Sequence, residues 1–287
     1  MREIPARRAT SQRYFFGEGL RYDEERATLS WVDLTAGRLF EAPLDDLDAA
    51  EVVVQTPGPL GAASPLADGS GWILAAGRGL AVAERGGAAR SVADLEPESN
   101  RMNDAACDSA GRFWAGSMAW DEAAGAGSLH RVDLDGRITR VLGGIGISNG
   151  PAWSPDGSVL YLDDSGRRQL LAFDMSSDGT LSRRRVLVEF GEGAGDGLTV
   201  DHEGHLWVAV YGGSAVNRYD PEGRLVVTVT LPASQVTSCC LAGGRLYATT
   251  TPKGLSDPEP DAGRLFVADV GVEAPAVRPY RGSLPAL

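Results

Sequence analysis

Histidine and cysteine are scarce in this chain, and long apolar runs are missing. The three histidines, His130, His202 and His205, all fall outside the repeated polar positions described below. That argues against a histidine-rich zinc site and against a histidine general base. The three cysteines, Cys107, Cys239 and Cys240, build no disulfide framework, since two of them are adjacent. They read as small buried hydrophobes in a reducing compartment. No stretch reaches the roughly 18 apolar residues of a membrane span, and residues 1–13 lack the apolar core of a signal peptide. A cytoplasmic protein with no membrane partner is expected.

Basic charge is also short. Against 39 Asp and Glu stand 27 Lys and Arg, a net charge of −12. Arg7-Arg8, Arg167-Arg168 and Arg183-Arg184-Arg185 read as solvated faces. Nucleic acid, which needs clustered cations facing phosphates, is therefore not an expected partner. Amphipathic helices are absent as well, which excludes a TIM barrel, and no linker or low-complexity segment divides the chain.

What the chain has instead is glycine, 37 of 287 residues, and repetition. Four short stretches recur: Gly17-Glu18-Gly19, Met102-Asn103-Asp104, Ser148-Asn149-Gly150 and Gly195-Asp196-Gly197. Asn103, Asn149 and Asp196 each stand eight positions before a turn glycine, Gly111, Gly157 and Gly204; Glu18 stands the same distance before Arg26. Each turn leads into a strand with a large apolar residue: Trp31, Trp114, Tyr161 and Trp207. Gly111 and Gly157 are 46 residues apart, and Gly157 and Gly204 are 47 apart. That is the length of a four-stranded propeller blade, about 40–50 residues. Asp135-Gly136, Asp156-Gly157 and Asp178-Gly179 are hairpin signals, because glycine takes positive φ at little cost. Six such units fill the chain. The reading is an all-β, six-bladed β-propeller with four antiparallel strands per blade, one domain over 1–287. Longer insertions at 119–127 and 253–262 are expected to shape one mouth of the channel. The 3–6 and 277–280 stretches are expected on the outer edges of the closing blades.

Innermost strands of a propeller line its axis, so a group repeated at one offset converges on one axial layer. Glu18, Asn149 and Asp196 then supply two carboxylates and an amide, oxygen donors that suit hard divalent cations such as Ca²⁺, Mg²⁺ or Mn²⁺. Two buried carboxylates meeting near an axis need a cation between them.

These residues, with Arg101-Met102-Asn103-Asp104, Gly111-Arg112-Phe113-Trp114-Ala115-Gly116-Ser117-Met118, Asp196-Gly197-Leu198, Leu206-Trp207-Val208-Ala209, Thr237-Ser238-Cys239-Cys240 and Ala262-Gly263-Arg264-Leu265-Phe266, resemble the senescence-marker-protein/gluconolactonase/regucalcin family of metal-dependent lactonases. The similarity runs in register over nearly the whole chain. The resemblance implies one divalent cation in the central tunnel, calcium first among calcium, magnesium, manganese, zinc and iron, with Glu18, Asn149 and Asp196 as ligands. It implies Arg101 and Asn103 as substrate-binding residues, with Asp121 the positional match for a further acidic contact; Trp120 beside it departs from the family pattern. The function expected is opening of a sugar lactone to the aldonic acid, with Asp196 as both ligand and general base. Rival readings are a phosphotriesterase-like hydrolase on the same metal site and a non-catalytic calcium-binding propeller. A monomer or weak homo-oligomer is expected.

Overall fold

The computed structural model describes residues 2–283. Among them the chain forms six sheets, antiparallel but for one added edge strand, and only two short 3-10 turns, Leu47–Ala49 and Ser165–Arg167. Each sheet is one blade, and apart from N-terminal strands added at the outer edges of blades five and six, the strands follow in sequence from the axis outward. Blade one is Gly17–Asp23, Thr28–Asp33, Arg38–Pro43 and Glu51–Gln55. The inner strands of blades two to six are Leu60–Pro65, Asn100–Cys107, Ser148–Trp153, Ala194–Val200 and Val236–Ala242. The expected six-bladed, four-stranded architecture is the observed one. The three Asp-Gly pairs lie in tight turns between strands, as read.

Six core clusters hold the ring together, and each straddles one boundary between neighbouring blades. Trp207 and Val216 of blade five pack on Val236, Leu246 and Phe266 of blade six; Tyr14, Trp31 and Phe40 pack on Tyr247 and Val267 across the next boundary. The pattern repeats at the other four boundaries. Both faces of a middle strand are covered, so these strands are continuous apolar runs rather than alternating ones, as in Leu206–Tyr211. Burying one Trp, Leu or Phe contributes about 1.5–3 kcal/mol. The stability is thus spread around the ring.

The ring closes through the N-terminus. Arg7–Arg8 supplies the outer strand of blade six against Phe266–Asp269, and Arg2–Pro5 runs parallel along the outer edge of blade five. The expected position of residues 3–6 at a blade edge holds for that strand. The 277–280 stretch does not lie on an edge. Tyr280 is 1% exposed, its N–H donates to Pro65 O and its hydroxyl donates to Asp133 O at 3.0 Å. The C-terminal segment is therefore a strap under blades two and three, anchored by an aromatic ring that edge pairing would leave in water. The three cysteines are free and buried.

Candidate metal and substrate centre on the axis

Every inner strand starts at the same end of the channel, and in every one the ladder breaks beside the repeated position. The register shifts between Glu18 and Arg21, Leu60 and Ala62, Met102 and Ala105, Asn149 and Ala152, Gly195 and Leu198, and Val236 and Ser238. A bulge bends its strand and re-aims the adjacent side chain, which turns these polar groups out of the blade and toward the axis. Blade two offers Gly61 instead. A Cβ there would overlap the Asn103 backbone carbonyl, so this blade contributes space and no donor.

Glu18 and Asp196 are 5% and 7% exposed. Burial first, then the charges of Asp196 and Asp104, raises the Glu18 pKa well above the ordinary value; burial and Asp104 do the same to Asp196. Glu18 also accepts the Gly19 N–H at 2.9 Å, which works against that rise. Asn149 is held from the other side: its Nδ2 donates to Ser165 Oγ at 2.8 Å, and Ser165 Oγ donates to Gly195 O at 2.5 Å. That fixes which Asn149 atom looks inward, and Oδ1 accepts from Asn103 Nδ2 at 2.6 Å.

Asn103 in turn accepts from Arg101 Nη1 at 2.7 Å, so Arg101, Asn103, Asn149 and Ser165 form one buried row across blades three and four. Arg101 is 4% exposed, and burial pushes its pKa down to about 10. Its guanidinium lies 5.6 Å from the Trp120 ring. Asp121 falls elsewhere. It is exposed, and its Oδ1 accepts the Ala123 N–H at 3.1 Å to close the turn of its own loop. Glu18 and Asp196 act most strongly on the Arg101 charge, and of the two adjacent loop carboxylates it is Glu122 that adds to them; Glu122 also acts on Tyr211 and Lys253.

Four features had no signal in the repeat. Asp104 is buried, accepts from Arg21 Nη2 at 3.2 Å and from Gly150 N–H at 3.1 Å, and ties blades one, three and four together below the row. Beyond this ion pair, at the opposite end of the channel, lies a cavity of about 470 Å³ that includes Leu20, Trp153, Leu198 and Cys240 in its wall. Asp163 is fully buried, and among the described residues neither of its oxygens has a partner; burial and Asp196 raise its pKa well above the ordinary value. Glu96 accepts from Ser117 Oγ, bonds His130 Nε2 at 2.8 Å and accepts from Asn100 Nδ2 at 2.9 Å, pinning the start of the strand that carries Arg101. A shared offset does not reveal these: Arg21 and Gly150 lie in other blades than Asp104, the partners of Glu96 come from three strands of blade three, and Asp163 is unpaired among the described residues.

A second acidic cluster, Asp201, Glu203 and His205, sits at an outer turn. Its cation is already present in the chain, since Arg218 Nη2 stands 2.6 Å from both Asp201 Oδ2 and Glu203 Oε2. His202 and His205 belong to this turn, as the sequence suggests.

The axial layer fits a divalent cation on its donor chemistry. Two carboxylates whose pKa values are raised by burial and by neighbouring carboxylates, beside an inward amide oxygen, are expensive together without positive charge. The family described as SMP-30/Gluconolactonase/LRE-like region matches residues 16–252. Bovine (Bos taurus) regucalcin is 32% identical over 286 residues, covering 93% of this chain and 95% of the relative. A Bacillus subtilis protein named putative sugar lactone lactonase YvrE is 33% identical over 199 residues, covering 65% and 68%. Among solved structures, a calcium-binding protein described as regucalcin from Agrobacterium tumefaciens superposes with a TM-score of 0.90 at 26% identity, covering 98% of this chain and 99% of that one.

Proposed function

Because the chain belongs to the SMP-30/gluconolactonase/LRE-like family, we propose that it is a lactonase that hydrolyses a sugar lactone to the aldonic acid. The observation that carries the reading is the single layer in which Glu18 and Asp196 face the hydrogen-bonded row Arg101–Asn103–Asn149. The lactonase name of the Bacillus relative supports it.

Glu18, Asn149 and Asp196 would hold a divalent cation. When bound, that cation supplies Lewis-acid stabilisation of the negative charge that develops on the lactone carbonyl oxygen. Arg101 and Asn103 orient the ring through its hydroxyls and ring oxygens. Asp196 accepts a proton from the attacking water as the new bond from water oxygen to carbonyl carbon forms. The ring C–O bond then breaks, and the proton passes to the departing ring oxygen, leaving a hydroxy acid. A base so placed contributes about 10²–10⁴-fold.

The test is a pH-indicator assay over neutral and acidic sugar lactones, with chelator and add-back of single metals. Turnover abolished by chelator and restored by one cation is expected. Hydrolysis of a phosphotriester but of no lactone would replace this reading with the phosphotriesterase one. Calcium binding without turnover of either would make the chain a binding protein.

A further inference from the structure

Seven arginines of this acidic chain are buried or half-buried. Six of them, Arg21, Arg78, Arg112, Arg131, Arg218 and Arg264, stand within 3.2 Å of a carboxylate. The seventh is Arg101, the most buried, and among the described residues no carboxylate lies within 4.0 Å of it. Only its Nη1 is used, by Met102 O and Asn103 Oδ1. Among the described residues the Nε and Nη2 edge bonds nothing, yet it is not sealed away, since neither atom is among the enclosed unpartnered ones. An open guanidinium edge is a fork for a planar anion.

The chain has one lysine, Lys253, and it stands at the same mouth. Its Nζ lies 4.9 Å from the centroid of the Phe16 ring, next to Gly17 and Glu18, and it too has no carboxylate within 4.0 Å among the described residues. Burial, then the like charge of Arg101, lowers its pKa. Glu18, Asp196 and Glu122, in that order, act on Arg101, and Glu122 acts on Lys253, none of them within ion-pair distance of either cation; a divalent cation on Glu18 and Asp196 would leave the mouth two cations to one anion. Trp120, 56% exposed, covers the Arg101 guanidinium with its ring.

Resting on the lactonase reading, we propose that the substrate is an acidic sugar lactone, one that carries a carboxylate or phosphate besides the lactone ring. The free edge of Arg101 and the Lys253 ammonium receive that anion, and the exposed Trp120 indole packs against the apolar face of the sugar. A neutral lactone leaves both cations unpaired in a partly desolvated mouth, so the acidic group discriminates by charge.

Initial rates by pH-stat on glucono-lactone, glucaro-lactone and 6-phosphoglucono-lactone test this and separate the two acidic groups. An acidic lactone should show kcat/KM at least tenfold above the neutral one, a difference of about 1.4 kcal/mol. In Lys253→Met the acidic-to-neutral ratio should fall about tenfold, mainly through KM. Lys253→Arg should recover much of it, which a merely structural role for the side chain would not predict. Preference for the neutral lactone, or equal losses for all three in Lys253→Met, would overturn the proposal. If no lactone is turned over, the lactonase reading fails, and calorimetric binding of glucaro-lactone against glucono-lactone decides: tighter binding of the acidic compound that Lys253→Met abolishes supports the charged mouth, and equal or weaker binding ends it.

Discussion

Asn103 Nδ2 donates to Asn149 Oδ1 at 2.6 Å across the boundary between blades three and four. This one bond couples the proposed substrate row to the proposed cation ligands. Asn149 is clamped by Ser165 and Asn103 by Arg101, so each amide has a defined orientation without any ligand.

That coupling predicts a split. Arg101→Ala and Asn103→Ala each remove charge-assisted or amide contacts worth about 1.5–3 kcal/mol to bound substrate, so lactone kcat/KM should fall about 10–100-fold. Cation affinity, measured by calorimetry, should change far less. An equal loss of cation affinity would make the two residues ligands or scaffold.

Glu18 and Asp196 differ in the number of tasks assigned. Glu18→Gln should weaken cation affinity and be largely rescued by excess metal. Asp196→Asn keeps one oxygen donor but loses the basic site, so turnover at saturating metal should stay down by about two orders of magnitude or more. A metal titration of both variants checks this. Full rescue of Asp196→Asn would reduce it to a ligand and move the base elsewhere.

The raised pKa values of Glu18 and Asp196 set a pH window for the cation-free protein. Between their ordinary values of 4.5 and 3.8 and the raised ones, the folded state holds more protons than the unfolded state. Unfolding free energy therefore falls as pH rises through that window. Glu96 works in the opposite sense at lower pH. Burial pushes it up, but hydrogen bonds from His130, Ser117 and Asn100 win and hold it down to about 2, so its stabilisation is lost only as pH falls below about 4.5. Melting of chelated protein from pH 5 to 8 should show stability declining with pH, with a flatter slope in Glu18→Gln. Parallel slopes in the two proteins would contradict the assignment.

Gly195 and Asp163 form a steric pair. A Cβ at Gly195 would overlap the Asp163 carboxyl, so Gly195→Ala should destabilise the fold. Asp163→Ala should relieve that overlap, giving the double variant a coupling energy of about 1–3 kcal/mol in a denaturant cycle. Additive effects would mean that the carboxyl moves aside freely.

The blades and the polar positions on the inner strands were legible in the sequence because both are local. A turn at Asp156-Gly157 or an apolar run at Leu206–Tyr211 depends on neighbours a few residues away, and a shared offset from the turn carries one side chain to one layer. The charged partners were not legible. Arg21 meets Asp104 over 83 residues, and His130 meets Glu96 over 34. The strap that buries Tyr280 follows from a gap beneath blades two and three, not from any pattern at 277–280. Asp121 and Glu122 are adjacent, and only the turn that engages Asp121 with Ala123 N–H decides which carboxylate acts on Arg101. Sequence determined the repeat, because backbone periodicity is a short-range property. Tertiary structure decided which charges are paired and which are left free, because that depends on ring closure bringing separate blades to one axis.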